Sequence, residues 1–204
     1  MNHRHAPANL GKRRGFTLVE LLIVVGLAGV LAAIAVPSMS SAARGYRLAG
    51  DARTLAHTVS LAKMRAAAAF TRVRLRADTG ARSFSIEEWD GTGWVVRGGS
   101  QTLAPGVRFG FGGLVSAPPN TQTTIALSTP CLDNAVPPAP IADTACIVYN
   151  SRGVPINSTG APVGGNGLYL TDGIAVYGSM VAATGLNTLW WTPHATPPRW
   201  LKVQ

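Results

Sequence analysis

Residues Phe16–Val36, FTLVELLIVVGLAGVLAAIAV, run for 21 residues with a single charge, Glu20, and Pro37 follows directly. A helix of about 20 apolar residues spans the ~30 Å hydrocarbon core of a bilayer. A secretory signal would have a shorter apolar region with its small-residue cleavage site behind it. Here the notable small residue, Gly15, stands in front. The preceding stretch carries Arg4, Lys12, Arg13 and Arg14 and no acid. Such a basic flank stays cytoplasmic and sends the C-terminus outward. The expectation is one membrane-spanning helix, with the rest of the chain outside the cytoplasm.

The remainder is long enough to bury a core. The 204 residues are 47% hydrophobic and only 13% charged, which excludes general disorder. Two cysteines and four scattered histidines do not supply the paired spacing of a structural zinc site. The net charge of +9 invites a nucleic-acid reading, but its distribution weakens it. Four of those charges lie in residues 1–15, most of the rest in residues 44–82, and residues 83–204 are close to neutral.

Lys12-Arg13-Arg14-Gly15 followed by Phe16-Thr-Leu-Val-Glu20-Leu-Leu22 resembles the class III leader junction of type IV pilins and type II secretion pseudopilins. The resemblance implies a leader, residues 1–15, removed by a prepilin peptidase between Gly15 and Phe16, with methylation of the new Phe16 amino group. Glu20 and Pro37 then stand at the family's usual mature positions and serve assembly. A carboxylate inside an apolar segment is costly and commonly marks a partner. The family supplies one, the positive N-terminus of a neighbouring subunit. Other pilins or pseudopilins and an inner-membrane assembly platform are the further partners implied. Ala28/Ala32 and Gly29/Ala33 give small-residue spacings that permit close helix approach. Pro37 removes one donor and kinks or loosens a helix that is expected to continue past it.

Beyond Pro37, Leu48, Ala52, Leu55, Val59, Ala62, Ala66, Ala69 and Val73 recur at alternating spacings of four and three, one buried helical stripe. Residues 37–70 therefore read as an amphipathic continuation of the 16–36 helix. From Arg72 the period becomes two. Arg72–Ala77 and Ser83–Glu87 alternate around Asp78-Thr-Gly80, and further strands are expected near Trp94–Arg97, Val107–Phe111, Thr123–Ser128, Cys146–Tyr149, Leu168–Thr171, Ile174–Val181 and Thr188–Thr192. The fold class is α+β: a long N-terminal helix on an antiparallel β-sheet domain, residues 71–204. Leu61-Ala-Lys-Met-Arg-Ala66, Tyr149-Asn-Ser-Arg-Gly153 and Ile174-Ala-Val176 leading to Thr184-Gly185 are similar to the GspH/FimT branch of the superfamily. Cys131 and Cys146 flank a Pro-rich loop in an expected oxidising compartment, and a disulfide is expected between them.

No nucleotide loop, nucleophile elbow, HExxH or Cys-x-x-Cys is present, so neither an enzyme nor a cofactor or metal is expected. His57 has no helically spaced second ligand and reads as an ordinary histidine. The tryptophans read as core, and Glu87, Glu88 and Asp90 as a solvated strand end. Arg72, Arg74 and Arg76 share one strand face, joined by Arg82, and could hold phosphates non-specifically. A solvated face, or one meeting acidic neighbours or lipid headgroups, is preferred. FimT-like DNA receptors carry arginines after a late glycine, where this chain has Leu186 and Thr188. Arg199 and Lys202 keep that alternative open. The expected function is a minor pilin or pseudopilin, anchored in the inner membrane with its domain in the periplasm. It would join or prime a secretion pseudopilus or a pilus.

Overall fold

The computed structural model describes residues 17–203, apart from the side chains of residues 34–41. The leader, Gly15 and Phe16 lie outside the described residues, as does the side chain of Pro37. Contacts divide the chain into two units, Met1–Ala42 and Ala43–Gln204.

Helix α1 covers Leu18–Ala69, passing Pro37 as expected. Its start is set by Thr17, whose Oγ1 accepts the Glu20 N–H at 3.2 Å while its carbonyl accepts the Leu21 N–H. Thr17-x-x-Glu20 has the spacing of a capping box, and an acid in the first turn suits the positive end of the helix. Among the described residues no helix is long and apolar enough to cross a membrane.

In the second unit the stripe Leu48, Ala52, Leu55, Val59, Ala62, Ala66 is buried. It stops there. Ala69 is exposed, and Val73 is buried from a strand rather than from the helix. The turn that ends α1 explains this: Phe70 adopts φ +52°, a left-handed conformation that reverses the chain and leaves its ring 84% exposed.

Ten strands follow: β1 Val73–Asp78, β2 Ser83–Trp89, β3 Trp94–Thr102, β4 Arg108–Phe109, β5 Thr144–Tyr149, β6 Pro155–Ile156, β7 Asn166–Thr171, β8 Ala175–Val181, β9 Asn187–Pro193 and β10 Leu201–Lys202. They form two five-stranded antiparallel sheets, ordered β3-β2-β1-β5-β6 and β10-β9-β8-β7-β4. The main core joins the helical stripe to Val73, Leu75 and Ala77 of β1, Ile147 and Tyr149 of β5, and Leu168 and Leu170 of β7. The intervening residues of sheet two, Tyr169, Val176 and Met180, form a second cluster with Leu114, Ile125, Trp190 and Trp200. The α+β expectation holds. One expected strand does not form: Thr123–Ser128 starts in a bend and joins no ladder. The Ser128 N–H donates to the Gly167 carbonyl and the Cys146 N–H to the Thr129 carbonyl, both at 2.8 Å, so this stretch links the two sheets. β6 and β10, two residues each, were not expected.

Four polar links fasten the helix. Ala104 N–H donates to Asp51 Oδ2 at 2.7 Å, and Asn187 Nδ2 to the Ala56 carbonyl at 2.9 Å. Arg65 reaches the Arg97 carbonyl at 3.2 Å, and Lys63 Nζ the Thr184 carbonyl at 3.4 Å.

Burial raises the phenol pKa of Tyr149 and of Tyr169 above the ordinary tyrosine value. Their hydroxyls differ, however. Tyr169 donates to Gln122 Oε1 at 2.6 Å, whereas the Tyr149 hydroxyl has no protein partner among the described residues. Tyr169→Phe is therefore expected to cost about 1 kcal/mol, and Tyr149→Phe to be neutral or stabilising. Urea unfolding of residues 43–204, which carry their own core, checks this; equal losses would remove the distinction.

Candidate functional site

The arginine face of sheet one is not an open phosphate site. Antiparallel register sets Arg74 directly opposite Glu87. Arg74 Nε donates to Glu87 Oε2 at 2.6 Å, and another guanidinium nitrogen donates to the Leu132 carbonyl at 2.6 Å. Its Cζ lies 4.3 Å from the Trp94 ring centroid. Arg74 and Glu87 are 3% and 4% exposed. Burial lowers the Arg74 pKa, and the Glu87 carboxylate opposes that shift. Arg76 lies 3.5 Å from Glu87 and 3.7 Å from Asp78, and Arg72 stacks on Trp89 at 4.7 Å. Trp89 and Trp94 meet edge to face at 5.4 Å, completing an Arg-Trp-Trp-Arg ladder.

Two expectations are corrected here. Glu87 is not part of a solvated strand end, and the Arg74 charge is neutralised inside the protein. Glu88 pairs with Arg97 at 3.6 Å. Asp90 does cap an exposed turn, and hydrogen bonds from Thr92 and Gly93 hold its carboxyl below the ordinary value. Arg82 is exposed in the β1–β2 turn, and Arg199 and Lys202 are exposed at the β10 end of sheet two. The six cations thus divide between two places, Arg72, Arg74, Arg76 and Arg82 at β1 and its turn, and Arg199 and Lys202 at β10. His57 is exposed, and no cluster of metal-ligating side chains exists among the described residues.

Three of the segments that carried the branch resemblance do come together. The Asn150–Gly153 turn and the Ala182–Gly185 turn close on the side chain of Lys63 from α1. A Cβ on Gly153 would lie 3.0 Å from Lys63 Cγ, and one on Gly185 would lie 2.5 Å from the Gly153 carbonyl oxygen. Both glycines have positive φ, 71° and 75°. Each donates its N–H back across its turn, to Asn150 and Ala182, at 2.8 Å. Asn150 Oδ1 accepts the N–H groups of Arg152 and Val154. The Ala182–Gly185 turn therefore closes the domain against its helix, and Leu186 beside it is 62% exposed.

Cys131 and Cys146 form a disulfide with Cα atoms 4.9 Å apart, as expected. It anchors the loop that covers Arg74: Leu132 accepts from the guanidinium, and Asn134 Oδ1 accepts the Trp94 N–H at 3.3 Å.

At the N-terminus, α1 starts exposed, with Thr17 as its cap and Glu20 in its first turn. Residues 10–36 match the family described as the prokaryotic N-terminal methylation motif. Among curated proteins none matches the sequence. The fold is similar to a solved structure of the minor pseudopilin EpsH from the type 2 secretion system of Vibrio cholerae. The likeness has a TM-score of 0.37 at 12% identity, covering 77% of this chain and 96% of that one.

Proposed function

We propose that this chain is a minor pilin or pseudopilin, a structural subunit that joins or primes a secretion pseudopilus or a type IV pilus. The observation that carries the reading is the methylation motif over residues 10–36, with Glu20 in the first turn of α1. In this reading a prepilin peptidase cuts between Gly15 and Phe16 and methylates Phe16. Residues 16–36 hold the subunit in the inner membrane until assembly, and Pro37 lies just beyond that span. The Glu20 carboxylate neutralises the Phe16 ammonium of a neighbour in apolar surroundings, which fixes axial register. The Cys131–Cys146 disulfide suits a periplasmic domain. An assembly platform and other pilins are the partners. The buried Arg74–Glu87 ion pair counts against the DNA-receptor alternative, which is left with the exposed Arg82, Arg199 and Lys202.

The test is to express the full chain beside a prepilin peptidase and read the N-terminus by mass spectrometry. The expected product starts at Phe16 and carries one methyl group. Gly15→Leu is expected to block cleavage, and Glu20→Ala to be cleaved yet absent from sheared fibres. Incorporation of Glu20→Ala at the wild-type level would overturn the assembly role.

A further inference from the structure

A β-sheet edge presents unpaired N–H and C=O groups, and natural sheets blunt their edges with very short strands. Three of the four edges here follow that rule: β6, β4 and β10 have two residues each. The fourth, β3, has nine residues, nearly all exposed. It carries no lysine and no proline, and its one charge, Arg97, is paired with Glu88 on the adjoining strand.

Alternation along the β2–β3 pair shows which groups point outward. The Asp90 N–H donates to the Gly93 carbonyl, which makes 90/93 a hydrogen-bonded pair. Antiparallel pairs alternate between bonded and non-bonded, so the Trp89/Trp94 and Glu87/Val96 pairs are non-bonded. The main-chain groups of Trp94 and Val96 therefore point away from β2. The Trp94 N–H is met by Asn134 Oδ1, while the outward main-chain groups of Val96 have no partner among the described residues, and its side chain is 50% exposed. Beyond it, Gly98 and Gly99 at φ 87° and 82° kink the strand, so the flat part of the edge is Trp94–Arg97.

We infer that β3 is a docking edge for an extended segment of a neighbouring fibre subunit, which adds to sheet one as a sixth strand beside Val96. Only another extended backbone complements this row of groups. The exposed Val95 and Val96 side chains favour an uncharged, β-branched segment; Arg97 is paired with Glu88, and the Arg65 guanidinium, which holds the Arg97 carbonyl, marks the end of the open edge. The inference rests on the fibre reading above.

The test uses the full-length chain and its assembled fibres. In the free subunit the Val96 amide is expected to exchange freely, and in the fibre at least about tenfold more slowly. Val96→Pro removes only an outward N–H, as edge positions allow, and is expected to keep the domain's Tm while lowering its recovery in fibres about tenfold or more. Val96→Thr is expected to assemble normally. Fibres that hold Val96→Pro at the wild-type level, or a Val96 amide that exchanges equally fast in both states, would overturn the docking edge alone. Wild-type chain that is never recovered in fibres would overturn the fibre reading together with it. If Val96→Pro lowers the Tm, the exchange comparison on the wild-type chain decides.

Discussion

Glu87→Ala is expected to destabilise the domain by about 3–5 kcal/mol, because it leaves the Arg74 guanidinium buried without its carboxylate. The Leu132 carbonyl and the Trp94 ring would remain beside it. The double change Arg74→Met with Glu87→Leu removes both charges and is expected to recover most of that loss, since apolar groups of similar size often replace a buried ion pair at little cost. Urea unfolding of residues 43–204 measures both. A Glu87→Ala loss below about 1 kcal/mol, the range of an exposed pair, would mean that this ion pair is solvated in solution. Adding salt tells the same story from another side, because screening weakens exposed pairs far more than buried ones.

The second large effect is expected at Gly185. An alanine there must hold φ near +75°, which costs roughly 1–2 kcal/mol, and its Cβ would meet the Gly153 carbonyl oxygen at 2.5 Å, which is backbone and cannot step aside. With overpacking added, Gly185→Ala is expected to lose about 2–4 kcal/mol. Gly160 provides the control. It has a similar φ of +82° but open space around its missing Cβ, so Gly160→Ala is expected to lose only the conformational part. Equal losses at the two positions would show that the turn does not close on Lys63 as described.

Local pattern carried the parts of the fold that repeat. The four-three spacing from Leu48 to Ala66 marks the buried face of α1, and period-two alternation marks β1 and β2. β6 and β10 are two residues long and exist only because β5 and β9 lie beside them. Thr123–Ser128 has strand-like composition, yet no neighbour offers it a ladder. Thr17 was readable but missed, since a threonine three residues before a glutamate at the head of an apolar run is a helix-start signal.

The Arg74–Glu87 pair was half readable. The hairpin places the two opposite each other, but the loop that removes them from water arrives with Leu132, 58 residues after Arg74. Likewise Lys63, Gly153 and Gly185 share no local signal. Their meeting follows from the assembly of α1 with turns from both sheets, which spacing along the chain does not encode.

The four fastenings of α1 have a mechanical consequence. Asp51, Ala56, Lys63 and Arg65 are spread along the helix and are tied to two stretches of the β domain, Arg97 and Ala104 at β3 and Thr184 and Asn187 at the β8–β9 connection. A tension drawn along the axis of this helical segment loads the four ties together in shear, with the Leu48–Ala66 stripe sliding against the core, rather than opening them one after another. Resistance to forced unfolding is set by the barrier to that concerted slip, not by the strength of any one bond. A domain hung from its helix in this way yields as a unit or not at all.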